Sequence, residues 1–434
     1  MKTLYRTIVI CLLLGGVPVC YAEDETGAQD AEERSAIPLD EIRTFAEVFA
    51  RVKKDYVESV NDTQLLESAI RGMLEGLDPH SAYLDQDAYT ELQEGTAGEF
   101  GGLGIQVGME DGFVKVISPI DDTPAKEAGV EAGDLIIRLD DTPVKGMSLN
   151  DAVSRMRGEP GTDITLTIIR DGEEKPLKLT ITRDIIKVQS VKHRTLEPGL
   201  GYLRISNFQA HTAEDTRLGL EKLIAENDDK LDGLILDLRN NPGGILNAAV
   251  AVSDLFLDEG LIVYTDGRIK DSKLKFHSTP ADMLDNAPIV LLVNAGSASA
   301  SEIVAGALQD HRRAIIMGRK TFGKGSVQTI LPISNEAALK LTTALYFTPS
   351  GRSIQASGIE PDIVIDQVKL EKVEAPSVIK EQNLDRHLGE KQMGEDDEQD
   401  DADEMPEESL VTSDYVLYEA LNVLKGLKIL GKAE

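Results

Sequence analysis

Two short motifs carry the side chains best suited to nucleophilic chemistry. One is the serine-rich turn Gly296-Ser297-Ala298-Ser299-Ala300-Ser301-Glu302. The other is Thr321-Phe322-Gly323-Lys324-Gly325-Ser326-Val327-Gln328, whose lysine stands 25 positions after Ser299 (324 − 299). A serine hydroxyl attacks poorly unless a neighbour removes its proton, and a lysine can do so only if burial keeps it neutral. The six histidines, His80, His193, His211, His277, His311 and His387, include no pair at metal-ligand spacing and no His-Glu-x-x-His. His311 follows Asp310 on a helix whose position points to the surface. No metal site and no cofactor is expected.

Placement sharpens the serine. Ile289–Val293 reads as a buried strand ending at Asn294, and a helix begins near Ser299. A serine there lies over free backbone N–H groups and the positive end of the helix dipole. Capping is the commonest role of serine at such a junction, so the motif alone does not decide. Arg239-Asn240-Asn241-Pro242-Gly243-Gly244 forms a second strand-to-helix loop with exposed N–H groups. Two donors aimed at one point make an oxyanion hole, and losing one costs on the order of 3 kcal/mol of transition-state stabilisation. If Lys324–Gln328 is extended, period 2 puts Lys324, Ser326 and Gln328 on one face, and Gln328 can orient the amine. Gly318–Lys324 also matches part of a phosphate-binding loop. Gly325 stands where that loop needs Ser or Thr, and strand rather than helix follows.

The elements around these motifs alternate. Gly201–Phe208, Leu231–Leu238, Pro288–Asn294, Ala314–Met317 and Ala338–Phe347 read as strands. Thr212–Glu226, Ile245–Leu257 and the segment ending at Leu308 read as helices. Such alternation predicts an α/β core of mostly parallel strands, with sites beyond their carboxyl ends. Upstream, apolar residues recur at helical spacing from Leu39 to Tyr56 and again from Leu65 to Leu74, before Asp78-Pro79-His80. Leu417, Leu421, Leu424 and Leu427 form a third stripe. These stripes require cover, either by the core or by another copy of the chain.

Composition adds bounds. Lys2 and Arg6 precede the short apolar run Ile8–Val19, and Cys20 and Ala22 fit the small-residue positions of a cleavage site. Export with cleavage after Ala22 is the expectation; an uncleaved membrane anchor is the other reading. Both cysteines, Cys11 and Cys20, lie in that leader, so the mature chain has no disulfide and no thiol nucleophile. Formal charge is −31, and −33 without Lys2 and Arg6, which argues against nucleic acid and anionic lipid as partners. Glu395–Glu408 holds ten acidic and no basic residues. It reads as a solvated tether, since it lacks the glycine turn of a calcium loop.

Residues 96–185 follow a pattern of short strands. They open with Gly101-Gly102-Leu103-Gly104-Ile105, pass through Phe113–Ile117 and Leu135–Leu139 to the helix Leu149–Met156, and end with the strand Ile164–Arg170. This resembles a PDZ domain. The resemblance implies that Gly102, Leu103, Gly104 and Ile105 hold a peptide's terminal carboxylate while the peptide adds as a strand.

With this segment, the serine turn and the Phe-Gly-Lys-Gly-x-x-x-Gln stretch together, the chain resembles the bacterial carboxyl-terminal processing proteases of the tail-specific serine peptidase family. The resemblance covers nearly everything after the leader. It implies a multidomain α/β fold: a ClpP/crotonase-like α/β protease core with an inserted PDZ domain and helical terminal segments. It divides the chain into signal peptide 1–22, linker 23–37, helical segment 38–95, PDZ domain 96–185, protease core 186–369, acidic linker 370–409 and C-terminal helix 410–434. It implies Ser299 as nucleophile, Lys324 as base, Gln328 as its orienting partner, and oxyanion donors at Ala300 and at Gly243 or Gly244. Ser297 and Ser301 become support residues. Unfolded or tail-exposed envelope proteins as substrates, a periplasmic location, an adaptor protein and homo-oligomers through the terminal helices follow from the same resemblance.

Overall fold

The computed structural model describes residues 38–366 apart from 121 and 335, together with 368 and 410–431; the side chains of 411 and 412 are not described. The expected leader, the linker 23–37 and the acidic linker 370–409 lie outside the described residues. Two compact units are present, one through Met73 and one from Leu74 onward. In the first, the helix Leu39–Asp55 carries Asp40 and Glu41 in its first turn and Lys53 and Lys54 in its last, complementing its dipole. None of its residues is buried. Among the described residues no helix is long and apolar enough to cross a membrane.

The second unit is built on a six-stranded sheet. Its order is Val191–Glu197, Leu200–Ile205, Gly233–Asp237, Ile289–Val293, Ala314–Gly318, Ile363–Val364. The first pair is antiparallel and the rest are parallel. Every residue of Gly233–Asp237 and Ile289–Val293 is buried, as a parallel sheet covered on both faces requires. Alternation assigns the faces. Leu234, Leu236, Ile289, Leu291 and Val293 point into a core shared with the helices Thr212–Ala225, Leu246–Asp254 and Ala300–Asp310. Ile235, Val290 and Leu292 point the other way, onto Leu417, Ala420, Leu421 and Leu424.

The C-terminal helix Tyr415–Gly431 therefore covers the far face of the sheet. Burying a leucine contributes roughly 1.5–3 kcal/mol, so three such side chains fix the helix firmly. Core packing is thus what covers the Leu417, Leu421 and Leu424 part of the stripe.

A second, antiparallel sheet joins Ala82–Leu84, Ala338–Phe347, Leu261–Asp266 and Lys275–His277, with Ser326–Pro332 also paired to Ala338–Phe347. The strand Ala82–Leu84 has no counterpart in the sequence reading, and the helix Gln86–Ala97, not singled out there, closes the expected helical segment 38–95. Their local signals are ordinary: Asp85 caps the helix by accepting from the Ala88 N–H at 3.0 Å, and Gly98 ends it at φ 79°.

Residues 105–182 form an antiparallel sheet in the order Ile105–Glu110, Phe113–Pro119, Leu135–Leu139, Asp163–Ile169, Leu177–Thr182, with a hydrophobic core of its own. The helix Leu149–Met156 starts at Ser148, whose hydroxyl accepts from the Asp151 N–H at 3.1 Å. A ribbon of Glu99–Gly102 paired with Asp184–Lys187 leads into and out of this module.

Candidate active site

The parallel strands deliver both loops to one edge, where the loop after Ile289–Val293 meets the loop after Gly233–Asp237. Ser297 and Ser301 are fully buried, and their hydroxyls donate across to the carbonyls of Leu238 (2.8 Å) and Asn241 (3.0 Å). They are pegs between the loops. Ser299 alone of the three reaches the cleft, and its backbone sits at φ 56°, ψ −112°. A non-glycine residue there is strained by roughly 1–3 kcal/mol and needs surroundings that enforce the conformation.

Glu302 supplies that enforcement. Its buried carboxylate accepts from the N–H of Ser299 (2.8 Å), of Gly323 (2.7 Å) and of Lys324 (2.9 Å), and from the Thr321 hydroxyl (2.5 Å). One side chain thus ties the Ser299 and Lys324 backbones together. Burial pushes the Glu302 carboxyl above its ordinary range, and these hydrogen bonds oppose the rise. The Ser-x-x-Glu spacing at a helix start is a legible capping signal; the reach to Gly323 and Lys324 is not.

The Arg239–Gly244 loop lies hard against the serine. A Cβ on Gly243 would come 2.8 Å from Ser299 Cβ and 3.0 Å from the Ala300 nitrogen, at φ 105°. Only glycine fits. The Gly243 N–H donates to Asn241 Oδ1 at 2.9 Å. The Gly244 N–H has no acceptor among the described residues, and Gly244 is exposed in the cleft. The N–H of Ala300, a buried residue that lines the same cleft, also has no acceptor among the described residues, and as the first residue of its helix it cannot be satisfied by the helix itself.

Lys324 is half-buried and lines the same cavity as Ser299, Gly244, Gln328 and Lys340, a space of about 1240 Å³. Burial and then the positive charge of Lys340 lower its pKa, with Glu302 opposing. Among the described residues its amine makes no ion pair and no hydrogen bond, to Ser299 included. The Ser299 side chain instead lies within hydrogen-bonding reach of the buried Tyr346 hydroxyl, which also donates to the Lys324 carbonyl.

Among the described residues Gln328 makes no hydrogen bond to the amine either. The extra residue where the register shifts is Thr343 of the paired strand, so alternation along Ser326–Pro332 is kept: Ser326 and Gln328 share a face, and the Gln328 amide donates to Ser326 Oγ at 2.9 Å. His80 is half-buried, and its pKa is lowered by burial and then by Lys324. His311 is not a surface group: its Nε2 meets the Leu261 carbonyl at 2.8 Å. Among the described residues no cluster of three His, Cys, Asp or Glu side chains could hold a metal.

The Gly102–Ile105 segment offers a second binding geometry. Ile105–Glu110 is the edge of its sheet, open to another strand among the described residues. The carbonyls of Leu103 and Gly104 accept from Ala125 (2.9 Å) and Ile120 (2.8 Å), while the Leu103 and Gly104 N–H groups have no acceptor among the described residues. Gly104 has φ 79°, and a Cβ would come 2.3 Å from Thr123.

Family models match both regions of the chain. Residues 199–365 match the model of peptidase family S41, 101–181 the PDZ domain, and 18–88 the activating protease CtpB N-terminal domain. A carboxy-terminal-processing protease of Bartonella bacilliformis is 51% identical over 81% of this chain and 81% of that protein. The chain belongs to the carboxy-terminal-processing proteases of family S41. It is therefore a serine-type peptidase with a PDZ domain. A carboxyl-terminal-processing protease of Synechocystis is 39% identical over 69% of this chain and 71% of its own length. Among solved structures, a photosystem II D1 C-terminal processing protease is 31% identical over 74% of this chain and 92% of that one, with a TM-score of 0.43.

Proposed function

We propose that this protease is an exported endopeptidase that captures C-terminal tails on its PDZ domain and cleaves with Ser299 and Lys324. The carrying observation is the juxtaposition at one cavity of a strained serine, a lysine shifted toward its neutral form, and two unpaired N–H donors. Neutral Lys324 takes the Ser299 proton as Oγ attacks the scissile carbonyl. The oxyanion accepts from Gly244 and Ala300, and Gly244 is favoured over Gly243 because the Gly243 N–H is already engaged. The lysine ammonium then gives its proton to the leaving amine, and water, deprotonated by Lys324 in turn, hydrolyses the acyl-enzyme. Gln328 orients the amine once it leaves Ser326.

Capture at the PDZ edge is favoured by the open strand Ile105–Glu110 and the unpaired N–H groups of Leu103 and Gly104. Unfolded or tail-exposed envelope proteins are the proposed substrates, and the periplasm, after cleavage at Ala22, the proposed location. Homo-oligomers built through the exposed helix Leu39–Asp55, and an adaptor protein, complete the proposal. A second reading, a PDZ scaffold whose core needs an activator, is favoured by one observation: Ser299 and Lys324 are not hydrogen-bonded to each other.

The deciding assay is degradation of an unfolded protein by wild type, Ser299→Ala and Lys324→Ala, with and without an envelope extract. Wild-type cleavage in buffer alone supports the first reading; cleavage only with extract supports the second. Wild type equal to both variants in either condition contradicts the Ser-Lys mechanism.

A further inference from the structure

The loop that presents Gly243 and Gly244 begins at Arg239, and this arginine is held from two sides. Its Nε and Nη2 donate to Asp237 at 3.0 and 2.7 Å. Its Nη1 and Nη2 donate to the two carboxylate oxygens of Asp414, each at 2.8 Å. Asp237 is fully buried and also receives Arg204 (2.9 Å) and the Tyr202 hydroxyl (2.7 Å), while Arg204 donates to the Arg239 carbonyl at 3.1 Å. Two arginines thus face two aspartates, and one of those aspartates comes from 175 positions downstream.

Asp414 is also the cap of the C-terminal helix. Its side chain accepts from the Leu417 N–H at 3.1 Å and its carbonyl from Tyr418 at 3.0 Å. The position of that cap is set by Leu417, Leu421 and Leu424 packed on the back of the sheet. On the other side of Arg239 the loop has little slack. Asn240 holds φ 56° with its N–H on Asn294, and Asn241 bonds the Ile205 carbonyl and the Gly243 N–H.

We propose that Asp414 and Arg239 form a latch through which the C-terminal helix positions the oxyanion loop. Arg239 and Asp414 are positioning residues: neither lines the cavity that holds Ser299. With Asp414 neutral, the guanidinium keeps Asp237 but loses its bidentate outer partner, and the loop start is free to tilt. An oxyanion donor is worth 10²–10³ in kcat when removed outright, so a loosened one is expected to lower kcat about tenfold. The inference rests on the reading of Gly244 and Ala300 as oxyanion donors.

The test compares Asp414→Asn with Lys428→Met in the full chain. Lys428 pairs with Asp232 at 2.8 Å and the Pro198 carbonyl at 3.1 Å near the other end of the same helix, at the opposite end of the strand Gly233–Asp237 from the loop and outside the cavity. Both variants are followed by thermal unfolding, by kcat and KM on a tail peptide, and by affinity for a peptide aldehyde against its alcohol. The aldehyde adduct places a charged oxygen in the hole and the alcohol does not.

Asp414→Asn is expected to lower kcat and aldehyde affinity about tenfold with KM and alcohol affinity within twofold. Asp414→Glu, which keeps the carboxylate, restores part of the loss. Lys428→Met loses thermal stability but keeps kcat and aldehyde preference. The latch is overturned if Asp414→Asn keeps the wild-type aldehyde preference, or if Lys428→Met loses as much kcat for the same loss of stability. A wild-type enzyme that shows no aldehyde preference overturns the oxyanion assignment itself, and the latch with it.

Discussion

Replacing Glu302 by glutamine tests whether one buried carboxylate holds the two reactive residues together. Glutamine keeps one acceptor oxygen and turns the other into a donor. If the amide nitrogen replaces Oε2, the N–H groups of Ser299 and Lys324 both face a donor; if it replaces Oε1, only the Gly323 N–H is orphaned, because the Thr321 hydroxyl can accept. The second orientation is cheaper and leaves one buried donor unsatisfied, at about 1–3 kcal/mol. Loss of charge assistance on the remaining two N–H bonds adds about 1 kcal/mol each, partly offset by relief from burying a charge. A net loss of about 2–4 kcal/mol corresponds to a Tm drop of about 5–15 °C. Activity falls at least tenfold, because the strained Ser299 backbone loses its tether.

The pH profile gives an independent sign. In the proposed mechanism activity needs neutral Lys324, so it is expected above the folded pKa of that amine and lost as pH falls through it. Glu302 raises that pKa, so Glu302→Gln moves the acid limb to lower pH while lowering the plateau. Thermal unfolding and initial rates on a fluorogenic tail peptide from pH 5 to 10 measure both. Wild-type Tm and plateau in Glu302→Gln, or an acid limb displaced upward, would refute the reasoning.

Lys340→Gln removes a positive charge that lowers the Lys324 pKa, so its acid limb moves to higher pH, opposite in sign to Glu302→Gln on the same assay. Gly243→Ala places a Cβ 2.8 Å from Ser299 Cβ at φ 105°; kcat is expected to fall at least a hundredfold with KM little changed, measured by steady-state kinetics. Gly104→Ala brings a Cβ 2.3 Å from Thr123; calorimetry is expected to show C-terminal peptide binding weakened at least tenfold, with short internal peptides still cleaved.

Local pattern carried much of the fold. Gly233–Asp237 and Ile289–Val293 read as buried strands because they are apolar throughout, and Gly104 announced its loop because few residues take φ 79°. The serine turn and the lysine loop were legible from their residue types, from the strand-to-helix placement of the serine and from the family resemblance. What escaped depends on long-range register. Tyr346 comes to Ser299 because its strand pairs with Ser326–Pro332, and the Gln328 amide is taken up by its same-face neighbour Ser326. Glu302 had no role assigned from the sequence; its bonds to Gly323 and Lys324 exist only once two loops meet. Asp414 stands just before a helix of which only the leucines drew notice, and its arginine lies in a loop far upstream.

The most direct test of the Ser299–Lys324 mechanism is mass-spectrometric mapping of a fluorophosphonate adduct as a function of pH, with a C-terminal tail peptide present. The mechanism predicts one adduct, on Ser299, that forms faster as pH rises through the Lys324 pKa and is lost in Lys324→Ala. An adduct on Ser297 or Ser301, or undiminished labelling of Ser299 in Lys324→Ala, would contradict it.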